Sequence, residues 1–439
     1  MSKSLNRRNF LSGAAKTTAT LTLGGSLLYL AGCSKPIQRP DLNLVKDPAG
    51  LCDLPKGFRY TVISKAEETM SDGYIVPDYH DGMGCFEGPN GALILVRNHE
   101  VPLYFPFDPA SPAPDFAYDP TSSGGTTTIW LDDNLAVTRH HLSLTGTIRN
   151  CSGGKTPWQT WISSEEPGSP GWGSGWQMGK RHGYNFEVDP LKPLQLAQPL
   201  KAMGRFNHEA VAIDPASGIA YQTEDSSYGC FYRFLPTKAG HLAEGGTLQA
   251  LKFVDGAINH TTKHPLQSGE KYLCTWVTVA EPDPEDNTVH LQAQKKGAAI
   301  FVRGEGLAVH DDGIYFSCTT GGAAGMGQIF KYVPGPGHGN GTIELVYEAK
   351  VRSILEKPDN ITLNQWGDLI ICEDNSLDTQ CLVGLTPEGK IYYIAANTQS
   401  EWSGACFSPN GKILFANIHK GPGMTLAIQG PWEALRQTA

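Results

Sequence analysis

The sequence has almost no helical signal. Outside the first 33 residues no long stretch shows a helical period, and only Pro431–Gln437, PWEALRQ, reads as a short helix. It also lacks a Pro/Ser-rich linker, so nothing divides it into two domains. A small-domain disulfide framework is absent too. Of ten cysteines, nine remain once Cys33 is set aside, an odd number without staple spacing, so at least one is unpaired within the chain. Cys274, Cys318, Cys372 and Cys406 lie inside apolar, strand-like runs and read as small buried hydrophobes. Positive charge is short as well. The whole chain carries −9, and without the basic Lys3, Arg7, Arg8 and Lys16 of the leading segment it moves to −13. Such a surface excludes nucleic acid as the expected partner and suits clustered carboxylates that hold cations. No Ser-His-Asp order stands out for nucleophilic catalysis.

The leading segment reads as an address. Arg7-Arg8 precede Phe10 and Leu11, and a moderately apolar run from Ala19 to Gly32 follows. Twin arginines in this setting point to the Tat pathway. The end Leu30-Ala31-Gly32-Cys33 has the form of a lipobox, which makes Cys33 the expected lipid anchor and the only membrane contact. The run is too short and polar to span a bilayer. Residues 1–33 are therefore expected to be a Tat-type lipoprotein signal segment, cleaved so that Cys33 becomes the lipidated first residue. Residues 34–439 are expected to form one domain, monomeric, in the periplasm or cell envelope. Tat carries folded proteins, so a metal can be inserted before export.

What the chain has is punctuation and repetition. Gly 50 and Pro 30 separate short runs of Val, Ile, Phe and Tyr. HEAVAIDPASGIAYQTED from His208, EGLAVHDDGIYFSCT from Glu305 and PDNITLNQWGDLIICED from Pro358 share one plan, as do WSGACFSPNGKILFANIH from Trp402 and HDGMGCFEGPNGALILVRNHE from His80. A polar start leads into a short strand, a turn of Asp, Asn or Pro with Gly, a second strand and a polar or acidic end. With the segment leading to Ser163–Glu166, this predicts an all-β, six-bladed β-propeller with extended inserted loops. A β-sandwich has similar hairpins, but the length without a linker favours a ring. Pro102–Gly125, Pro167–Gly183 and Ala257–Gly297 read as the insertions. Asn150–Gly154 is expected to be a turn at the channel mouth, and Pro157–Ile162 the strand after it.

Both ends of a hairpin lie opposite its turn, so the acids gather on one face. They are Glu100, Glu165, Glu166, Glu209, Glu224, Asp225, Glu305, Asp359, Glu373, Asp374 and Glu401. Crowded carboxylates repel in a medium of reduced dielectric and need cations or shared protons. Oxygen donors suit hard ions, while a thiolate such as Cys151 shifts the preference toward a transition metal. His99 and His208 could add imidazoles. Arg97, Arg205 and Arg303 each precede an acid and could offer guanidinium forks to an anionic substrate.

The order LPKGFRYTVIS, HDGMGCFEGPNGALILVRNHE, NCSGGKTPWQTWISSEE, GRFNHEAVAIDP, RGEGLAVHDDGIYF, KPDNITLNQWGDLIICED and SGACFSPNGKILFANI resembles the PhoX family of bacterial alkaline phosphatases. The likeness runs from about Leu54 to Pro431 and is most specific in NCSGGKTPWQTW and the twice-used NHE. It implies a six-bladed propeller with an iron and calcium cluster (Fe3+, Ca2+) that hydrolyses phosphate monoesters, small-molecule substrates. By motif it implies Cys151 as an iron ligand with a part in catalysis. Glu100, Glu209, Glu305, Asp374 and one or both of Glu165 and Glu166 become further ligands, with Asp225 and Glu373 as candidates. Arg303 would contact phosphate beside Glu305. A calcium-dependent propeller lactonase or esterase, or a lipid-anchored binding propeller, are the competing readings.

Overall fold

The computed structural model describes residues 39–102, 110–167, 179–375 and 377–439. The expected export segment, residues 1–33, and parts of the expected Pro102–Gly125 and Pro167–Gly183 insertions lie outside the described residues. Among the described residues strands dominate, and the two α-helices are the short Val289–Gln294 and Trp432–Arg436, the latter inside the expected PWEALRQ. Among the described residues no helix is long and apolar enough to cross a membrane.

The arrangement is all-β and propeller-like. Antiparallel meanders follow one another along the chain, and in each the first strand lies innermost. These inner strands are His80–Glu87, Asn150–Lys155, His208–Ile213, Gly304–His310, Pro358–Leu363 and Trp402–Phe407. Each packs against the next, and the last packs against the first. A central cavity of about 530 Å3 is lined by residues of all six. The inner backbones approach so closely that side chains do not fit between them. A Cβ on Gly82 would lie 2.5 Å from the Ser152 Cα, and one on Gly306 would lie 2.4 Å from the Ile361 amide.

Closure comes from the two ends of the described domain. Arg59–Lys65 adds as outer strand to Met424–Gln429, completing the sheet begun by Trp402–Phe407. The sheets nevertheless do not separate into six. The meanders from His208 and Gly304 merge into one nine-stranded sheet, because Lys271–Thr278 pairs with Gly246–Phe253 on one side and Gly341–Glu348 on the other. That strand belongs to the expected Ala257–Gly297 insertion, which thus carries a strand and a helix of its own. Aromatic packing joins the same two meanders, with the Phe231 and Phe316 rings stacked 4.2 Å apart.

One local expectation is reversed. Asn150–Lys155 is a strand, Pro157–Thr160 the turn, and Trp161–Glu165 the second strand. The turn is set by Gln159 at φ 66° and by the Thr156 hydroxyl, which accepts from the Thr160 amide. Gly153 and Gly154 serve strand contact, since Cβ atoms there would overlap the Ile162 and Val211 carbonyls. Trp161 is buried, its indole donating to Asn98. The nine described cysteines are all free thiols; Cys274, Cys318 and Cys372 are fully buried, and Cys406 is partly exposed.

Candidate metal centre

One local device occurs six times at one end of the inner strands. The residue before each inner strand accepts, through its carbonyl, the amide of the residue that follows the second strand. The pairs are Tyr79 with Glu100, Arg149 with Glu166, Asn207 with Asp225, Arg303 with Thr319, Lys357 with Asp374 and Glu401 with His419, at 2.9–3.1 Å. Four of the accepting residues, Tyr79, Arg149, Arg303 and Lys357, hold left-handed φ of 55°, 38°, 52° and 50°. Side-chain-bearing residues rarely adopt such angles, and clusters of them mark functional sites. Every inner strand then carries a register shift at its start, so two or more residues oppose fewer on the partner. Such bulges re-aim a side chain. The second residues of these strands are Asp81, Cys151, Glu209, Glu305, Asp359 and Ser403.

The result is a crowd of acids. Donor atoms of Glu100, Cys151 and Glu166 lie within 4.8 Å of one another, as do those of Glu209, Glu305 and Asp359, and of Asp81, Glu100 and His419. Two bare charges at that distance repel by about 3–4 kcal/mol at an effective dielectric of 20. Burial, reinforced by neighbouring carboxylates, pushes Asp81, Glu166, Glu209, Glu305 and Asp359 well above the usual carboxylate range. Burial and Glu401 push Asp374 up to about 6. Burial, with Glu100 and Glu166, raises the Cys151 thiol, which donates to Glu166 Oε2 at 3.3 Å.

Three cations stand against these acids. Arg149 Nη2 lies 2.6 Å from both Glu100 and Glu166. Arg303 meets Asp225 at 2.7 Å and Glu305 at 2.9 Å. Lys357 Nζ is 4.0 Å from Asp374. The acids raise both guanidinium groups despite burial, which acts the other way. Nine carboxyls, counting Glu401, thus face these three cations and Lys420, whose ammonium lies 3.7 Å from Glu401. The donor set fits metal: oxygen-rich, with one thiol, and with His419 Nε2 buried without a hydrogen bond. His419 Nδ1 contacts the His80 carbonyl at 3.1 Å, and burial lowers its pKa, so the neutral ring can present Nε2 as a ligand.

The alkaline phosphatase PhoX family matches residues 42–136 and 117–423. The chain belongs to the PhoX alkaline phosphatase family. Its fold is similar to that of Pseudomonas fluorescens PhoX in complex with vanadate, a transition state analogue, with TM-score 0.69 and 17% identity over 87% of this chain and 96% of that one. A gluconolactonase from Xanthomonas campestris aligns with TM-score 0.43 and 12% identity, over 90% of this chain and 99% of that one, too distant to bear on function. No curated protein matches. As a PhoX-family member the protein is a metal-dependent alkaline phosphatase, and the family acts outside the cell.

Within this PhoX-type mouth the adjacent acid pairs separate cleanly. Glu166, Asp225 and Asp374 face the cluster, whereas Glu165, Glu224 and Glu373 sit behind it with their oxygens engaged. Glu165 accepts from the Ile148, Gly183 and Tyr184 amides and meets His182 Nδ1 at 2.7 Å. Glu224 accepts on Oε2 from Tyr232 and the Cys230 amide, and its Oε1 lies 3.2 Å from His290 Nδ1. Glu373 accepts from Arg39, the Glu356 amide and Asn375. His99 and His208 bond backbone carbonyls outside the cluster. Arg97 is buried against Thr127 and Thr425, and Arg205 donates to the carbonyls of His182, Pro284 and Glu285. Sequence reasoning missed Asp81, His419, Arg149 and Lys357. The HD of HDGMG echoes the HE of HEAVA and marks Asp81, and His419 is the polar end of the hairpin from Trp402; Arg149 and Lys357 appear only through the sixfold register.

Proposed function

We propose that this phosphatase hydrolyses phosphate monoesters at a mixed iron and calcium centre in the acidic mouth. The observation that carries it is one thiol, Cys151, set among crowded carboxyls. The thiolate with Glu100, Glu166 and the neighbouring Asp81 and His419 suits ferric iron. Glu209, Glu305 and Asp359 form an all-oxygen set that suits Ca2+. Asp225 and Asp374 complete the ring from the second strands, while Glu165 and Glu373 support it from behind. Bound ions of this kind supply Lewis acidity toward phosphoryl oxygens. The chain itself orients the substrate: Arg303, fixed by Asp225 and Glu305, presents its remaining donors to the equatorial oxygens. Because Cys151 and several acids hold their protons without metal, loading must release protons.

The same reading takes the six repeated units as six blades, two of them joined by the Lys271–Thr278 strand. Residues 1–33 act as a Tat lipoprotein signal, with Cys33 anchoring a monomer in the periplasm. Elemental analysis of the purified protein, paired with p-nitrophenyl phosphate turnover with and without Ca2+, tests the centre. Iron and calcium together with Ca2+-stimulated turnover are expected. Turnover by protein that contains no iron would overturn the mixed centre, and Cys151→Ala protein with full iron and full rate would remove the thiolate from it.

A further inference from the structure

We propose that Lys357 binds the phosphate dianion of the substrate beside Arg303 and sets the affinity for monoesters. The proposal rests on the phosphatase reading of the mouth.

The sixfold register places Lys357 at the same rim position as Arg149 and Arg303, with the same left-handed backbone (φ 50°, 38° and 52°). The three cations differ in how they are engaged. Arg149 and Arg303 are each tied to two carboxylates at 2.6–2.9 Å. The Lys357 ammonium lies 4.0 Å from Asp374 Oδ2, and among the described residues it donates no hydrogen bond. Its side chain keeps 28% exposure, enough to reach solvent and a ligand. An ammonium has three donors and seeks anionic oxygen.

Lys357 and Arg303 also share a mount. The glycine-rich loop from Thr319 to Gly327 begins with the Thr319 amide donating to the Arg303 carbonyl at 2.9 Å. It ends with the Met326 carbonyl accepting from the Lys357 amide at 2.7 Å. One loop therefore spaces the two cations. Asp374, beside Lys357, is also within electrostatic reach of Arg303. A doubly charged phosphate seated at Arg303 can draw the uncommitted ammonium from its long contact with Asp374. The Lys357→Met change keeps an unbranched side chain one atom shorter and the same backbone requirement while removing the charge.

The test uses metal-loaded full-length enzyme, with wild-type turnover of p-nitrophenyl phosphate confirmed first; absence of that turnover would count against the phosphatase reading itself. In Lys357→Met, KM and the inhibition constant of orthophosphate are expected to rise together by about tenfold or more, the scale of one charge-assisted hydrogen bond. The kcat is expected to stay within about threefold, metal content and Tm to stay unchanged, and Lys357→Arg to recover most of the affinity. A variant with wild-type KM and orthophosphate inhibition overturns the proposal. So does one that loses metal, because Lys357 would then act through Asp374 and not on phosphate.

Discussion

At one end of the six inner strands stand Asp81, Cys151, Glu209, Glu305 and Asp359; at the other, the cavity is walled by Cys85, Lys155, Ile213, Val309, Leu363 and Phe407. The same strands, in the same cyclic order, make both ends. At the acidic end each strand begins with a bulge, a strained or hydrogen-bonded entry residue and a polar side chain turned inward. Beyond the bulge regular alternation resumes, and apolar residues dominate the wall apart from Lys155, whose ammonium donates to the Cys85 carbonyl at 3.1 Å. Chemistry in this fold is thus decided by a short stretch of irregular backbone at one end of a regular barrel of strands. The regular part holds the irregular part at fixed spacing.

The contrast can be broken most severely at the acidic end. Asp359→Asn should lower phosphatase activity by more than about 100-fold with loss of calcium, since even groups behind a metal's ligands are worth 10–100-fold. Cys151→Ala should cost a similar factor but remove iron and leave calcium. Metal analysis of the two variants separates the donor sets, and identical losses would merge them into one site.

A smaller effect comes from pH. A carboxyl whose pKa is raised by folding binds its proton more tightly in the folded state, so stability falls as pH rises past the unfolded value. Chelated protein should therefore lose stability as pH climbs from about 4 through about 6, the range set by Asp374, and the more strongly raised acids extend the loss upward. Loaded protein should lose far less over the same range. Urea melts at several pH values, with and without chelator, measure the difference; parallel curves would contradict the crowding of charge.

The smallest effect belongs to the other end. Lys155→Met should leave metal content unchanged and activity within about twofold, and should shift stability by about 1 kcal/mol or less, the value of one neutral-acceptor hydrogen bond. A large loss of activity there would show that the two ends are not independent.

Much of the fold was legible. The repeated hairpins from His80, His208, Glu305, Pro358 and Trp402 are all present as first and second strands, because Asp, Asn and Gly turns punctuate alternating runs. The merging of two meanders was not legible, since Lys271–Thr278 carries no turn signal that says which edges it joins. The Asn150–Gly154 strand was misread as a turn because its glycines serve close backbone packing and not a reversal.

The amino-acid order alone determined the acid content, the cysteine of the NCSGG motif and the hairpin repeat, since these depend on residue identity and local turn preference. Only the tertiary structure decided which member of each acid pair meets the cluster. Glu165 and Glu166 are neighbours in the chain and chemically identical. Strand pairing turns the first toward His182 and backbone amides, and the end of the strand turns the second toward Cys151. That choice rests on alternation of side chains about a strand that has been placed in a ring, a property no single residue carries.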